Sequence, residues 1–449
     1  MKTKLMILTA IAALLLASTA FANNVAVSSV SLQNKNLVAG TVEIKFNLTQ
    51  DNTYSGTDAN NNQFYDRAWV FVKFWVDGVN SETTGWSPAL YLISGGTLAP
   101  ASDGKGAFAQ VGNNQTLKWN YGSDGVSGSA TIKARVCAIE VVYIPTGAFV
   151  YNAGGIGNLT SCSTNYGGTS QINVSGPVTV TGDNTDTTHG PTGCAIGWPN
   201  GYNAFYIAKY EVSQGQYADF LNMLGTGDAT NRYYTGSDYR YTITYNSGNA
   251  YGSRYAASSP NRAMNQTKWD DVRAYASWCG MRPPTEMEFE KAARGGGTSN
   301  TNIYPWGNTD PATGNSNYAP DGATSVPSYY ASYAYSGNSG GPVTVGLYLS
   351  GDITRSSSQT GASVYGVTDL AGNNWEHLIN CAWTQKPENG TGTVAWPTSW
   401  PDASAGKGFR GGDWYDGSGS LRVSDRGDAG GASANRGISG GVRLCRTSQ

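Results

Sequence analysis

Helix-period sequence is confined to three short, capped segments between Ser213 and Gly297, and the rest of the chain is either β-patterned or rich in Gly, Ser, Asn and Tyr. Ser213 with Gln216 forms a capping box ahead of Tyr217, Phe220, Leu221 and Leu224, and Val212 is placed to staple the first turn. Thr267 with Asp270 predicts a second helix with the apolar stripe Trp269, Val272, Ala276 and Cys279, stopped by Gly280. Pro283-Pro284-Thr285 with Glu288 opens a third, carrying Phe289, Ala292 and Ala293 and ended by Gly295 to Gly297. Glu211, Glu288 and Glu290 lie at or beside these helix starts, where capping accounts for them. Long stretches from Thr226 to Ser259 and from Thr309 to Gly361 carry no regular pattern and read as loops, which at this length are functional or stapled by ions.

Upstream the pattern changes. Val42 to Leu48 alternates strictly, Ala68 to Val76 is a near-continuous apolar strand, and Thr116 to Tyr121 and Ala130 to Val136 follow, with turn-rich stretches between them. This predicts an all-β sandwich over residues 23–136, with Trp69, Trp75 and Trp119 in its core. Residues 1–22 read as a signal peptide: Lys2 and Lys4, the apolar run Leu5 to Leu16, then Ala20-Phe21-Ala22 as the cleavage pattern. The expected address is exported, whether periplasmic, cell-surface or secreted. No run reaches the length of a transmembrane helix. A third segment, 137–449, begins at the strand Ile139 to Ile144, so the fold class is α+β with the sandwich first.

Composition excludes several functions. With 59 Gly, 12% aromatic and 13% charged residues in 449, the chain is neither collagen, coiled coil nor disordered. A net charge of −2 leaves no basic footprint for nucleic acid. The 2 histidines, His189 and His377, cannot supply a three-imidazole metal centre. Export permits disulfides among Cys137, Cys162, Cys194, Cys279, Cys381 and Cys445, but their spacing fixes no pairing.

Ordered blocks in 137–449 carry a resemblance. Ile139 to Ile144, Phe205 to Ser213, Trp269 to Val272, Arg282 to Gly295, Tyr304 to Asn308, Tyr365 to His377, Phe409 to Trp414 and Gly440 to Leu444 resemble the formylglycine-generating enzyme, or sulfatase-modifying factor, family. The resemblance implies that family's C-type-lectin-like fold, with short helices, small twisted sheets and long irregular loops. It also implies an oxidase that converts a sulfatase cysteine to formylglycine on copper(I) held by two cysteines, since soft thiolates suit that ion. In the family those cysteines follow the Arg-Gly-Gly block. Here Asp413 to Ser420 reads Asp-Trp-Tyr-Asp-Gly-Ser-Gly-Ser, and no cysteine occurs between Gly412 and Cys445. The departure falls on the catalytic ligands, so no copper is expected and the activity is weighed against. An oxidase of this kind stays open as an alternative, requiring cysteines from elsewhere in the chain.

Structural calcium is a separate expectation. The loop Asp369 to Glu376 offers two carboxylates around Gly372, and hard oxygens with free carbonyls are what calcium requires. The resemblance implies ligation by the side chains of Asp369 and Glu376 and the carbonyls of Gly372 and Asn374. A second family site would fall at Asn317 and Asp321. Arg410, Arg422, Arg426, Arg436 and Arg443 crowd a short span and could form either an anion pocket or a salt-bridged surface.

The C-terminal segment suggests binding. Small, polar and Tyr residues on fixed elements make contact surfaces, because Tyr gives area at low entropy cost and Ser, Gly and Asp adapt. The predicted ligand contacts are Trp414, Tyr415, Asp416, Ser418 and Ser420, with Asp425, Asp428 and Arg436 beside them. This segment resembles the variable region of diversity-generating retroelement target proteins on the same lectin-like scaffold. The expected function is an exported protein binding a protein or glycan ligand, with a surface-assembly or adhesion role as a further alternative.

Overall fold

The computed structural model describes residues 25–151, 172–176, 197–297, 304–309, 311, 340–349, 360–402, 404–430 and 435–448. The N-terminal part contributes strands β1 (Ala26–Asn36), β2 (Thr41–Thr49), β3 (Ser55–Thr57), β4 (Gln63–Val76), β5 (Ser87–Pro88), β6 (Leu92–Ile93), β7 (Ala107–Ala109) and β8 (Gly112–Asn120). Strands β9 (Ile132–Ile144), β10 (Phe149–Tyr151), β11 (Ile172–Val174) and β12 (Phe205–Ala208) lead into helices α1 (Gln214–Met223) and α2 (Thr226–Arg232). Next come β13 (Ile243–Tyr245), β14 (Tyr255–Ala257), α3 (Trp269–Trp278) and α4 (Glu286–Arg294). The chain closes with β15 (Trp375–Ile379), β16 (Lys407–Arg410), β17 (Gly440–Gly441) and β18 (Cys445–Thr447).

One antiparallel ladder organises everything else. β4 and β9 pair without a break from Tyr65 opposite Tyr143 to Val76 opposite Ile132. They lie at the middle of a seven-stranded sheet ordered β18-β12-β9-β4-β3, with β5 and β7 also on β4. Because side chains alternate, each face of this ladder serves a different core. Ala68, Val70, Val72 and Phe74 pack with Ile44, Phe46, Leu117 and Trp119 from the four-stranded sheet β1-β2-β8-β6. Trp69 and Phe71, with Ile139 and Val141, face the other way onto Tyr217, Phe220 and Leu221 of α1 and Val272 and Tyr275 of α3. Further along the first face, Phe64, Val142, Ile144 and Ile207 pack on Phe289, Ala292 and Ala293 of α4.

The boundary expected between residues 136 and 137 falls inside β9. Val136-Cys137-Ala138 continues the strand pattern with no turn residue, so the strand runs on from the first unit into the second. Two side chains fasten the layers together: Trp69 Nε1 donates to the Cys279 carbonyl at 2.8 Å, and buried Lys73 donates to the carbonyls of Trp278 and Gly392 at 2.7 and 2.6 Å.

Helix ends follow short-range chemistry. Ser213 and Gln216 cap α1 reciprocally, and Thr285 and Glu288 do the same for α4, each cap contributing about 1 kcal/mol. The second helix starts one residue later than predicted: Lys268 is the N-cap, with its amide donating to Asp271 at 3.1 Å. The Thr267 hydroxyl is drawn away to the Gly440 carbonyl at 2.7 Å. The stretch Thr226 to Ser259, expected as loop, holds α2 and the β13-β14 hairpin. Most of Thr309 to Gly361 lies outside the described residues. Among the described residues no helix is long and apolar enough to cross a membrane.

Candidate functional site

The loop Asp369 to Glu376 folds tightly between β12 and the C-terminal strands. Asp369, Gly372 and Asn373 all take left-handed backbone angles (φ 56, 78 and 68°), which turn the chain back on itself within a few residues. Asp369 Oδ2 accepts from the Gly346 amide at 2.5 Å. Glu376 is the second residue of β15 and is wholly buried. Its Oε1 accepts from Arg443 Nε and Nη2 at 3.0 and 2.8 Å, while Oε2 has no partner among the described residues. The buried Asn374 Oδ1 is likewise without a donor. A side chain at Gly411 would come within 2.3 Å of Glu376 Oε2 and 3.3 Å of the Leu370 carbonyl, so glycine there keeps this pocket of oxygens open.

Sequence reasoning missed Glu211. It assigned this residue to helix capping, but Ser213 caps α1, and Glu211 turns instead to the Asp369 to Glu376 loop. It accepts from the Asn373 amide group at 2.5 Å and from the Asn374 backbone at 3.0 Å. These contacts span more than 160 positions, so no local signal marks them. Burial, then repulsion from Glu376 and Asp369, pushes the Glu211 carboxyl well above its ordinary range. Burial and Asp369 likewise lift Glu376 to about 8, against the pull of Arg443. Three buried carboxylates therefore share one guanidinium, an excess of negative charge that a divalent, oxygen-preferring cation would offset. Among the described residues no three His, Cys, Asp or Glu side chains converge as a metal group. An ion at this loop would draw on Asp369 and Glu376 together with the carbonyls of Gly372 and Asn374. The orphaned Glu376 oxygen and the donor chemistry fit calcium. Asn317 and Asp321 lie outside the described residues.

Within the arginine-rich span Arg410, Arg426 and Arg443 are buried internal braces, whereas Arg422 is half-buried. Arg410 donates to Glu290 Oε2 at 2.6 Å and to the Val423 carbonyl at 2.9 Å. Arg294 bridges Glu290 and the Ser424 hydroxyl at 2.7 and 2.6 Å, and Arg426 pairs with Glu286. These side chains are all fully buried, so α4 bolts down both ends of the segment 411–426. Glu290 is thus an ion-pair partner and not a cap, whereas Glu288 both caps α4 and holds Arg282 at 2.7 Å. His377 is buried between Trp269 and Phe409, and burial drives its imidazole down to about 3, so it stays neutral.

The predicted contact residues divide. Trp414 is a core residue: it is 0% exposed, its amide donates to the Asn373 carbonyl, and its ring lies against Tyr239 and Tyr415. This corrects its place among the contacts, because the Arg-Gly-Gly turn points it inward. Tyr415 is 62% exposed. Asp416, Ser418, Ser420 and Asp425 are half-buried and Asp428 is exposed. Asp413 Oδ1 accepts from the amides of Tyr415 and Asp416 at 2.7 and 2.8 Å, and Asp416 accepts from the Asp413 amide at 3.2 Å. Burial and the neighbouring Asp413 raise the Asp416 carboxyl to about 7. Arg436 is spent internally, on Asp271 and on the carbonyls of Gln266 and Asn231.

The sequence holds no cysteine between Gly412 and Cys445. Among the described residues Cys137, Cys279 and Cys445 form no disulfide, and Cys279, Cys381 and Cys445 are buried. Burial raises the Cys445 thiol well above its ordinary value, which disfavours the thiolate that copper(I) needs. Cys162 and Cys194 lie outside the described residues.

Comparison with known proteins matches residues 172–448 to the family described as Sulfatase-modifying factor enzyme 1-like domain. The chain is 51% identical over 49 residues to the formylglycine-generating enzyme of Thermomonospora curvata, covering 11% of this chain and 16% of that protein. It is 58% identical over 40 residues to the inactive C-alpha-formylglycine-generating enzyme 2 of Bos taurus, 9% and 13% of the two chains. It is 26% identical over 196 residues to the hercynine oxygenase of Mycobacterium tuberculosis, 41% and 38%. In each case the match spans well under half of the relative's length. The solved structure of Treponema denticola variable protein 1 aligns with 70% of this chain and 96% of that one at 14% identity and a TM-score of 0.36. Since the family match takes in more than half of its residues, the chain belongs to the family of the sulfatase-modifying factor enzyme 1-like domain.

Proposed function

We propose that this is an exported binding protein, in which a calcium-stabilised lectin-like domain presents the loops from Tyr415 to Asp428 to a protein or glycan ligand and carries out no cysteine oxidation. The observation that carries the reading is the segment after Gly412, where the copper ligands of the family's oxidase would lie. It contains no cysteine before Cys445, yet it is braced at both ends by buried Arg–Glu pairs and carries a Tyr415 that is 62% exposed. Rigid anchorage beneath an exposed aromatic and several carboxylates serves binding, because little ordering entropy is lost on contact.

Calcium would be held by Asp369, Glu376 and the carbonyls of Gly372 and Asn374. When bound it supplies charge neutralisation and fixes the loop, while Glu211 and Arg443 orient the ligating segment. Asp, Tyr, Ser and Gly at the contact positions also suit retroelement diversification, since each can arise from an Asn codon by adenine substitution. A protein and glycan array probed with the whole chain tests the reading. A ligand whose binding is lost in Tyr415→Ala and Asp416→Ala supports it. Normal binding by both variants moves the surface elsewhere, and conversion of a sulfatase-type cysteine peptide by the wild type restores the oxidase alternative.

A further inference from the structure

A buried polar seam lies where two hydrophobic cores meet on one face of the central sheet. Glu140 of β9 sits opposite Ala68 of β4, and strand alternation puts Asp66 on that same face. Lys209, just past β12, donates its amide to the Glu140 carbonyl at 3.0 Å. Its ammonium donates to Asp66 Oδ2 at 2.6 Å and also to the Asn52 carbonyl. Ala68 belongs to the core of the N-terminal sheets, and Phe64 and Val142 belong to the core over α4. Glu140, Asp66 and Lys209 are 3, 6 and 1% exposed, so the whole group is sealed from solvent between them.

Among the described residues four oxygens here lack partners: both carboxylate oxygens of Glu140, Asp66 Oδ1 and the hydroxyl of buried Tyr210. The Lys209 ammonium that holds Asp66 lies 5.6 Å from the centre of the Tyr210 ring, which sets that residue against the same group, and burial foremost, then the fields of Glu140 and Asp66, raise its phenol well above the ordinary value. A lone buried carboxylate with neither oxygen satisfied is costly, and such groups are found paired or coordinated. Hard oxygens of this kind suit a hard cation. Two carboxylates against one ammonium leave a single uncompensated negative charge. That balance matches the charge of a monovalent ion.

We propose that Glu140, Asp66 and Tyr210 form a buried site for a monovalent cation of sodium size, separate from the Asp369 to Glu376 loop, which fastens the N-terminal sheets to the C-terminal domain. The ion would enter only the folded state, so its binding appears as stability. Thermal unfolding of the full chain is compared in sodium chloride and choline chloride at equal ionic strength, with calcium held at one concentration. Sodium should raise Tm by about 2 °C or more in wild type and in Glu376→Ala, but not in Glu140→Gln. Sodium-23 relaxation on wild-type protein gives a second reading if Glu140→Gln does not fold: broadening by the protein is expected. Equal Tm in the two salts overturns the proposal. In that event a Glu140→Gln variant more stable than wild type would show that Glu140 carries a proton, and an unchanged one would leave only a buried water.

Discussion

Arg443 places two hydrogen bonds, from Nε at 3.0 Å and Nη2 at 2.8 Å, on a single oxygen of Glu376 and leaves the other oxygen bare. The same guanidinium reaches the carbonyls of Ala208 and Thr368 at 2.9 and 2.8 Å, so it ties β12 and the Asp369 loop to the C-terminus. The bare oxygen is where a cation would add to the pair without displacing it. Chelation should lower Tm, since a ligand at a hundredfold excess over its Kd stabilises by about 2.7 kcal/mol. Glu376→Ala should remove the chelator response, and a wild type indifferent to chelator would end the calcium reading. Arg443→Met should cost about 3–5 kcal/mol, because it strands buried carboxylates, as denaturant titration will measure.

Copper chemistry should be absent. Incubation of the protein with copper(I), oxygen and a sulfatase-type cysteine peptide is expected to leave the peptide mass unchanged. A mass loss matching formylglycine would mean that thiols outside the segment 413–444 have converged on a cleft.

Tyr415 and Trp414 are neighbours with opposite expected phenotypes. Tyr415→Ala should change stability by no more than about 0.5 kcal/mol while abolishing ligand capture, as an exposed side chain off the core permits. Trp414→Ala should cost about 3–5 kcal/mol through the cavity it leaves. Equal losses of stability in the two variants would show that Tyr415 is part of the packing.

The brace under the contact loops can be cut from α4. Glu290→Gln leaves Arg410 and Arg294 buried without their shared carboxylate and should cost about 3 kcal/mol or more. Hydrogen exchange should accelerate across residues 411–426 ahead of strands β1, β2 and β8. Uniform acceleration over the whole chain would show that the brace serves global stability alone.

Lys73 gives a pH signature at the layer junction. Burial lowers its ammonium from 10.5 to about 7, so above pH 7 it is neutral when folded and still charged when unfolded. Unfolding then takes up a proton, and by linkage stability rises with pH between about 7 and 10. Below that window the charged form is buried and its penalty is present in full. Lys73→Met should flatten this slope, and should also lower stability by about 1–3 kcal/mol by stripping the Trp278 and Gly392 carbonyls of their donor. Parallel Tm-against-pH curves for the two proteins would rule out Lys73 as the source.

The sequence alone determined what short-range chemistry controls. Capping pairs set the starts of α1 and α4, strict alternation located β2, a near-continuous apolar run located β4, and the ordered blocks through Arg282 to Gly295 and Tyr365 to His377 identified the family. The empty interval Asp413 to Ser420 was equally plain, because a missing thiol needs no structure to be missed. Tertiary structure decided whatever depends on which distant groups share a buried space. It ran β9 across the expected boundary, since a strand stops only where pairing partners do. It turned Trp414 inward and took Glu211 to Asn373 and Asn374, more than 160 positions away. It set Arg410 and Arg426 on the α4 carboxylates and gathered Glu140 and Asp66 from two strands, with Lys209 from the end of a third, into one seam. Buried charges need partners wherever the chain can bring them, and that requirement acts through space and leaves no periodicity along the sequence.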